Sequence, residues 1–194
     1  MARPKQDPNT ESALERIENA FWEMLAEGPY TDMTIAKLAK RAGVNHNTIY
    51  YHFDNIDDMA IRLFEKNITH EIPETLLSSP SENLDNLDFL FTSIDFLKRS
   101  KNIRLFARSN SSFLTNHLKQ TVFQVWLDVA GITENDLSIE NKLELEFIFN
   151  GLISIMGSPA IDENPDLIPA MLHRKFFQNV IDTLSQLSAH KNQM

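Results

Sequence analysis

The chain has 194 residues, a formal net charge of −9 and no cysteine, which excludes disulfides, thiolate metal sites and cysteine nucleophiles and fits a reducing interior. Its length suits one compact domain or a small domain joined to a larger one, and 42% hydrophobic residues with 5 glycines and 8 prolines favour long helices. No stretch approaches the roughly 20 apolar residues of a membrane span. MARPKQDPNTES carries no apolar signal core, so a cytoplasmic protein without a membrane partner is expected.

Residues 1–9, with Arg3 and Lys5, read as a flexible basic arm. From about Thr10, the apolar residues Ala13, Ile17, Ala20, Phe21, Met24 and Leu25 recur at helical spacing, and Gly28-Pro29 stops that helix. The stretch from Met33 to Phe53 then divides into two short helices around one break. Thr34 is placed to cap the first, and Ile35, Leu38, Ala39 and Ala42 form one apolar stripe. Gly43 can take the left-handed conformation that ends a helix, and Asn45 can cap the second. In that second helix Ile49 and Phe53 fall on one side and Asn47 and Tyr51 on the other, with Thr48 and Tyr50 flanking and His46 at the start. An ordinary exposed face of this length would carry Glu and Lys. This one offers amides, a hydroxyl, imidazoles and phenols, groups that bond base edges and phosphates and include no carboxylate to repel DNA. Helix, glycine turn and a second helix with an uncharged outer face is the helix-turn-helix pattern.

Asp54-Asn55 reads as the next cap, with Asp57 and Asp58 in a first turn that favours negative charge. This helix carries Ile56, Met59, Ala60, Leu63, Phe64 and Ile68, and Pro73 is expected to end it. PETLLSSPSE, residues 73–82, is the one linker-like stretch and marks the expected boundary between a DNA-binding domain at 10–72 and a C-terminal domain at 83–190. Leu84, Leu87, Phe91 and Ile94 repeat up to Lys98, and the basic patch Lys98, Arg99, Lys101, Arg104 and Arg108 reads as a solvated turn at helix ends, with binding of nucleic acid or an acidic ligand as the alternative. Ser111 or Ser112 can cap a helix closed by Gly131, and Thr133 or Ser138 one that runs to about Met156 and breaks at Gly157-Ser158-Pro159. Asn164-Pro165 looks like a cap with proline at the first helical position, and Leu172, Phe176, Phe177, Val180, Ile181, Leu184 and Leu187 belong to the last helix. Phe147-Ile148-Phe149 and Phe176-Phe177 make these helices apolar on more than one side, which suits either a large core or an oligomer contact.

The words T-I-A-K-L-A-K-R-A-G-V-N-H-N-T-I-Y-Y-H-F, preceded by A-F-W-E-M-L-A-E-G and followed by D-N-I-D-D-M, closely resemble the tetracycline-repressor (TetR) family of bacterial transcription regulators. The resemblance covers residues of about 10 to 70. Its core A-G-V-x-x-x-T-[IL]-Y-x-[HY]-F is fully present from Ala42 to Phe53, while the rest matches only in length and helical character. It implies an all-α chain, with a three-helix DNA-binding domain (motif about 34–53) and a larger C-terminal bundle for ligand binding and dimerisation. It also implies a homodimer through the last two helices, where Gly151 and Gly157 would allow close approach. A near-palindromic double-stranded operator, and a small apolar or aromatic effector that releases a repressor from it, complete the expectation.

For base contacts the candidates are His46, Asn47 and Tyr51, with Asn45 at the helix start; for phosphates they are Thr34, Lys37, Thr48, Tyr50 and His52. Tyr50 has an alternative role, packing its ring on the following helix. Candidate pocket residues are Phe89, Phe96, Phe106, Phe113, His117, Trp126, Phe147 and Asn150, each of which plain core packing would also explain. Relatives often place a phosphate-holding lysine where Ile56 stands, so weaker electrostatics are expected at that edge, with Asp54 adding repulsion. Residues 1–56 hold six basic against eight acidic side chains. Charges beyond about 8 Å are largely screened at cellular ionic strength, so Lys37, Lys40 and Arg41 beside the second helix matter more than the sum. Neither a catalytic signature nor a metal-binding or cofactor motif is present; G-x-S-x-G, P-loop, H-E-x-x-H and G-x-G-x-x-G are all missing. A family member that acts through protein partners, without ligand or DNA, is the alternative.

Overall fold

The computed structural model describes residues 11–78, 93–164, 166–172 and 174–191. It contains two compact units, Met1–Leu63 and Phe64–Met194. Every regular element among the described residues is helical.

In the first unit, α1 (Ala13–Glu27) starts at a reciprocal cap, with Ser12 Oγ accepting from the Glu15 amide and the Glu15 carboxylate accepting from the Ser12 amide. These bonds from Ser12 hold the Glu15 carboxyl below its ordinary value. A 3₁₀ turn, Tyr30–Asp32, leads to α2 (Ile35–Ala42) and α3 (His46–His52). Thr34 Oγ1 accepts from the Lys37 amide and Asn45 Oδ1 from the Asn47 amide, so both expected caps form. Between them Gly43 sits at φ +62° and the Val44 amide donates to the Ala39 carbonyl, closing α2 in the left-handed manner. Ile17, Phe21, Leu38 and Ile49 are wholly buried, and α1, α2 and α3 pack pairwise around them. Arg16 Nε adds a donor to the Ala42 carbonyl at 3.2 Å, fastening α1 to the end of α2.

The next helix, α4 (Ile56–Glu65), is shorter than its sequence suggested, and Pro73 lies inside the helix that follows instead of ending this one. It lies in the first turn of α5 (Glu71–Ser78), where a missing N–H costs nothing since the first four amides lack helical partners anyway. Residues 73–78 of the linker-like stretch are therefore helical. The division in packing falls earlier, between Leu63 and Phe64.

The second unit continues with α6 (Ile94–Ala107), α7 (Ser112–Ala130), a 3₁₀ turn at Glu134–Asp136, α8 (Ile139–Met156), α9 (Pro159–Glu163), α10 (Leu167–Leu172) and α11 (Lys175–Lys191). Ser93, Ser111 and Ser138 cap α6, α7 and α8 through their hydroxyls, and Gly131 ends α7 at φ +68°. Leu84, Leu87, Phe89 and Phe91 lie outside the described residues. Two expectations need correction. Lys98, Arg99 and Lys101 lie mid-helix in α6, where Arg99 pairs with Asp95 and Glu71, while Arg104 in the last turn and Arg108 at the C-cap clamp Asp162 of α9. Asn164 closes α9, which Ser158 and Pro159 start one turn earlier, and Leu172 belongs to α10. Gly157 makes a close approach within the chain, where a Cβ would stand 3.2 Å from the Ala107 carbonyl oxygen at the end of α6.

Helices α5, α7, α8 and α11 enclose the core of this unit, built from Leu76, Trp126, Leu127, Leu145, Phe149, Phe177, Ile181 and Leu184. A smaller cluster stacks Phe64 on Phe106 with centroids 4.7 Å apart and sets His117 edge-on to Phe64. On α8, Ile139, Leu143 and Phe147 repeat every fourth residue, hence share one face, and are 76%, 61% and 81% exposed.

Candidate nucleic-acid interface

Helix α3 is anchored from below. Ile49 is wholly buried and Phe53 nearly so, and this orientation turns the remaining positions outward. Asn45, His46, Asn47, Tyr50 and Tyr51 are exposed, Thr48 and His52 partly so. Tyr51 is 85% exposed and Tyr50 56%, so the Tyr50 ring is largely open. The ring of Tyr51 meets that of His52 edge-on at 5.0 Å, so the two rings stand nearly at a right angle at the end of the helix. No residue from 45 to 53 is a carboxylate. The outer face therefore presents amide, hydroxyl, imidazole and phenol groups on a short helix about as wide as a major groove admits.

Cations around that helix are fewer than their count in the sequence. Arg41 spends its guanidinium on Glu27, with a second contact to Glu23 at 3.5 Å. The bond from Arg41 holds the Glu27 carboxyl below its ordinary value, and Glu27 in turn raises the arginine. Lys37, exposed beside the Thr34 cap, donates from Nζ to the Asp32 carbonyl, which fixes it without neutralising it. Lys40 is exposed and has no ion pair among the described residues.

The start of α4 is crowded with acid. Asn55 Oδ1 accepts from the Asp58 amide, the Asp58 carboxylate accepts from the Asp54 amide, and Arg62 pairs with Asp58 at 2.8 Å. Asp57 accepts a short hydrogen bond from the Tyr30 hydroxyl. Burial, together with this bond to the Asp57 carboxylate, pushes the Tyr30 phenol far above its ordinary value. With Ile56 in the first position, this edge offers no side-chain cation to a phosphate.

The second unit contains a cavity of about 190 Å³ lined from α5 to α8 and from α10 and α11, mainly by aliphatic and aromatic side chains. Of the pocket candidates named from sequence, Phe96 and Trp126 line it. Phe106 is wholly buried against Phe64, His117 lies edge-on to the same ring, and Phe113, Phe147 and Asn150 are exposed at the surface. Phe89 is outside the described residues. Missed by sequence were Asn67, Ile72, Arg99, Ser100, Phe149 and Phe177, which line the cavity from the turn after α4 and from α5, α6, α8 and α11. Helical periodicity identifies an inward face, and an inward face looks the same whether it meets a neighbour or an open space.

Among the described residues no cluster of histidine and acidic side chains suits a metal ion, and no helix is long and apolar enough to cross a membrane. Residues 19–63 match the family model described as bacterial regulatory proteins, tetR family. The fatty acid metabolism regulator protein of Bacillus subtilis (strain 168) is 41% identical over 51 residues, 26% of this chain and 26% of that protein. The chain thus matches about a quarter of the length of that curated relative. Among solved structures, the TetR family repressor AlkX from Dietzia sp. strain DQ12-45-1b, implicated in biodegradation of n-alkanes, is 21% identical. That likeness covers 88% of this chain and 96% of the other at a TM-score of 0.47. Over residues 19–63, the helix-turn-helix part of its first unit, the chain is thus similar to the tetR family of bacterial regulatory proteins.

Proposed function

We propose that the chain is a sequence-specific, DNA-binding transcriptional regulator and not an enzyme, a homodimer that represses from a near-palindromic operator and is released by a small apolar or aromatic effector. One observation carries this reading: α3 stands on buried Ile49 and Phe53 and exposes an uninterrupted uncharged polar face. His46, Asn47 and Tyr51 are the base readers. Thr34, Lys37, Thr48, Tyr50 and His52 hold phosphates and set the register. Two copies related by a two-fold axis would set their α3 helices into successive major grooves, roughly 34–36 Å apart.

The apolar stripe of Ile139, Leu143 and Phe147 on α8, with Phe176 exposed on α11, supports pairing of two copies through these helices. The cavity supports an effector. An apolar cavity of about 150 Å³ takes up benzene, so one of 190 Å³ suits a somewhat larger molecule. Such a ligand acts by binding the DNA-incompetent state more tightly than the competent one.

The test is titration of the full chain onto a duplex of its own upstream region, at low and then physiological salt. Retention that is sequence-specific and lost in the double variant Asn47→Ala, Tyr51→Ala supports the reading. Equal affinity for scrambled DNA sinks it. The acid-crowded start of α4 favours a second reading, a regulator acting through protein partners without DNA. In that case the same double variant keeps its cellular effect.

A further inference from the structure

Four of the five glycines stand where the chain itself calls for one. Gly28, Gly43 and Gly131 close helices, and Gly157 lies against Ala107. Gly151 does neither. It is exposed in the interior of α8, and a Cβ added there would meet nothing within 4 Å among the described residues. Glycine is among the least favourable residues in a helix interior, so the position carries a cost that nothing described in the single chain offsets. What it supplies is a hole beside a knob. Phe147 is one turn away and largely exposed, and Leu143 and Ile139 continue the same row. At about 100° per residue, Phe147 and Gly151 each fall roughly 160° from buried Phe149, so they straddle the most outward line of the helix.

Charge indicates what covers this face. The first half of α8 carries exposed Glu140, Glu144 and Glu146, and its one lysine, Lys142, is held by Glu134. Residues 147–156 carry no charge. Two copies paired in parallel would set Glu144 against Glu144, and an antiparallel pair centred at Leu145 would set Glu144 against Glu146. Like charges opposed within an interface are costly. An antiparallel pair centred at the level of Phe149 sets the acidic half of each helix beside the uncharged half of the other. We propose that two copies meet in that register, the Phe147 ring of each seated on Gly151 of the other and Leu143 level with Ile155. A two-fold contact is self-complementary, and here one helix supplies both knob and hole. The proposal rests on the reading of α8 as a dimer contact and fixes its register.

Two measurements on the full chain test it. Gly151→Leu fills the hole, so the dimer dissociation constant from sedimentation equilibrium should rise about a hundredfold or more, since overpacking acts twice across the axis. The separate chain should become more resistant to urea, because leucine is the better helix former. The chain contains no cysteine, so introduced thiols report only on each other. In an equimolar mixture of Phe147→Cys and Gly151→Cys, the mixed dimer keeps one native contact of Phe147 with Gly151 and brings one pair of thiols within disulfide reach. Oxidation should therefore link the two variants to each other in preference to themselves, as read by intact mass. An unchanged dissociation constant in Gly151→Leu, a separate chain weakened by it, or self-linking as ready as mixed linking overturns the register while leaving the dimer. An unmodified chain that stays monomeric at every concentration overturns the dimer itself and assigns the face to a different protein.

Discussion

Truncating Phe147 to alanine isolates the surface on which dimerisation would depend. The side chain is 81% exposed in the single chain, so nearly all of its apolar area remains to be buried by a partner. Fully burying a phenylalanine contributes roughly 1.5–3 kcal/mol. A two-fold interface contains every residue twice, so Phe147→Ala should cost the dimer about 2–4 kcal/mol after allowing for the retained Cβ. That corresponds to a rise of the dissociation constant by roughly 30- to 1000-fold. Folding of the separate chain should hardly change, because an exposed side chain with few neighbours typically shifts stability by less than about 0.5 kcal/mol. Sedimentation equilibrium over a concentration series reads the first quantity, and thermal melting followed by circular dichroism under dissociating dilution reads the second. An unchanged dissociation constant would refute the assignment of this stripe to a dimer contact. A large fall in monomer melting temperature would show instead that Phe147 supports the fold.

Four further outcomes are expected. Tyr51→Ala should weaken operator binding by about 1–3 kcal/mol and relax preference at one base position, while Lys37→Ala should weaken binding to all duplexes and lower the salt slope by about 1, both read by fluorescence anisotropy across salt. Gly43→Ala should destabilise the protein by about 1–2 kcal/mol in urea melts, since φ is +62° and an added Cβ meets nothing within 4 Å, so backbone strain acts alone. Burial disfavours ionisation of Asp162, but bonds from Arg108 and Arg104 outweigh it and hold the carboxyl below its ordinary 3.8. Its contribution is therefore complete above pH 3.8 and is lost as pH falls through the lower folded value, so Asp162→Asn should flatten the acid limb of stability against pH.

The first unit was legible because its punctuation is local. Thr34, Gly43 and Asn45 each act on atoms within four residues of themselves, and all three take the roles their chemistry suggests. Ile49 and Phe53 are buried because a helix of seven residues has one inward side, and the cap at Asn45 fixes which. Errors came where one residue type serves opposite roles. Pro73 and Asn164 are good markers of helix ends, yet proline fits the first turn as well as the region past the last, and asparagine closes α9 as readily as it would cap a successor. The cavity was beyond reach for another reason. Its wall joins residues as distant as Asn67 and Phe177, whose proximity depends on how five or more helices lean on one another. Aromatic content pointed to Phe113 and Phe147, which the fold leaves outside.

Charge ties the two levels together. Distant charges of the net −9 are largely screened, so the cations beside α3 decide, and the structure commits part of them elsewhere. Arg41 is committed to Glu27 and Glu23, Arg62 to Asp58, and Ile56 brings no cation to the start of α4. Lys37 and Lys40 remain beside α3. Each phosphate neutralised by a cation adds about 0.9 to the salt slope, so this pair, the cations left beside α3 among the described residues, would give a shallow slope and weak attachment to arbitrary sequence. Hydroxyl, amide and imidazole donors still bond phosphates and base edges, but only when the duplex presents them at matching positions. A protein built this way gains little from the backbone as such. Its discrimination would come from the low floor of non-specific binding as much as from the height of the specific contact, and that floor is set by how few cations flank α3.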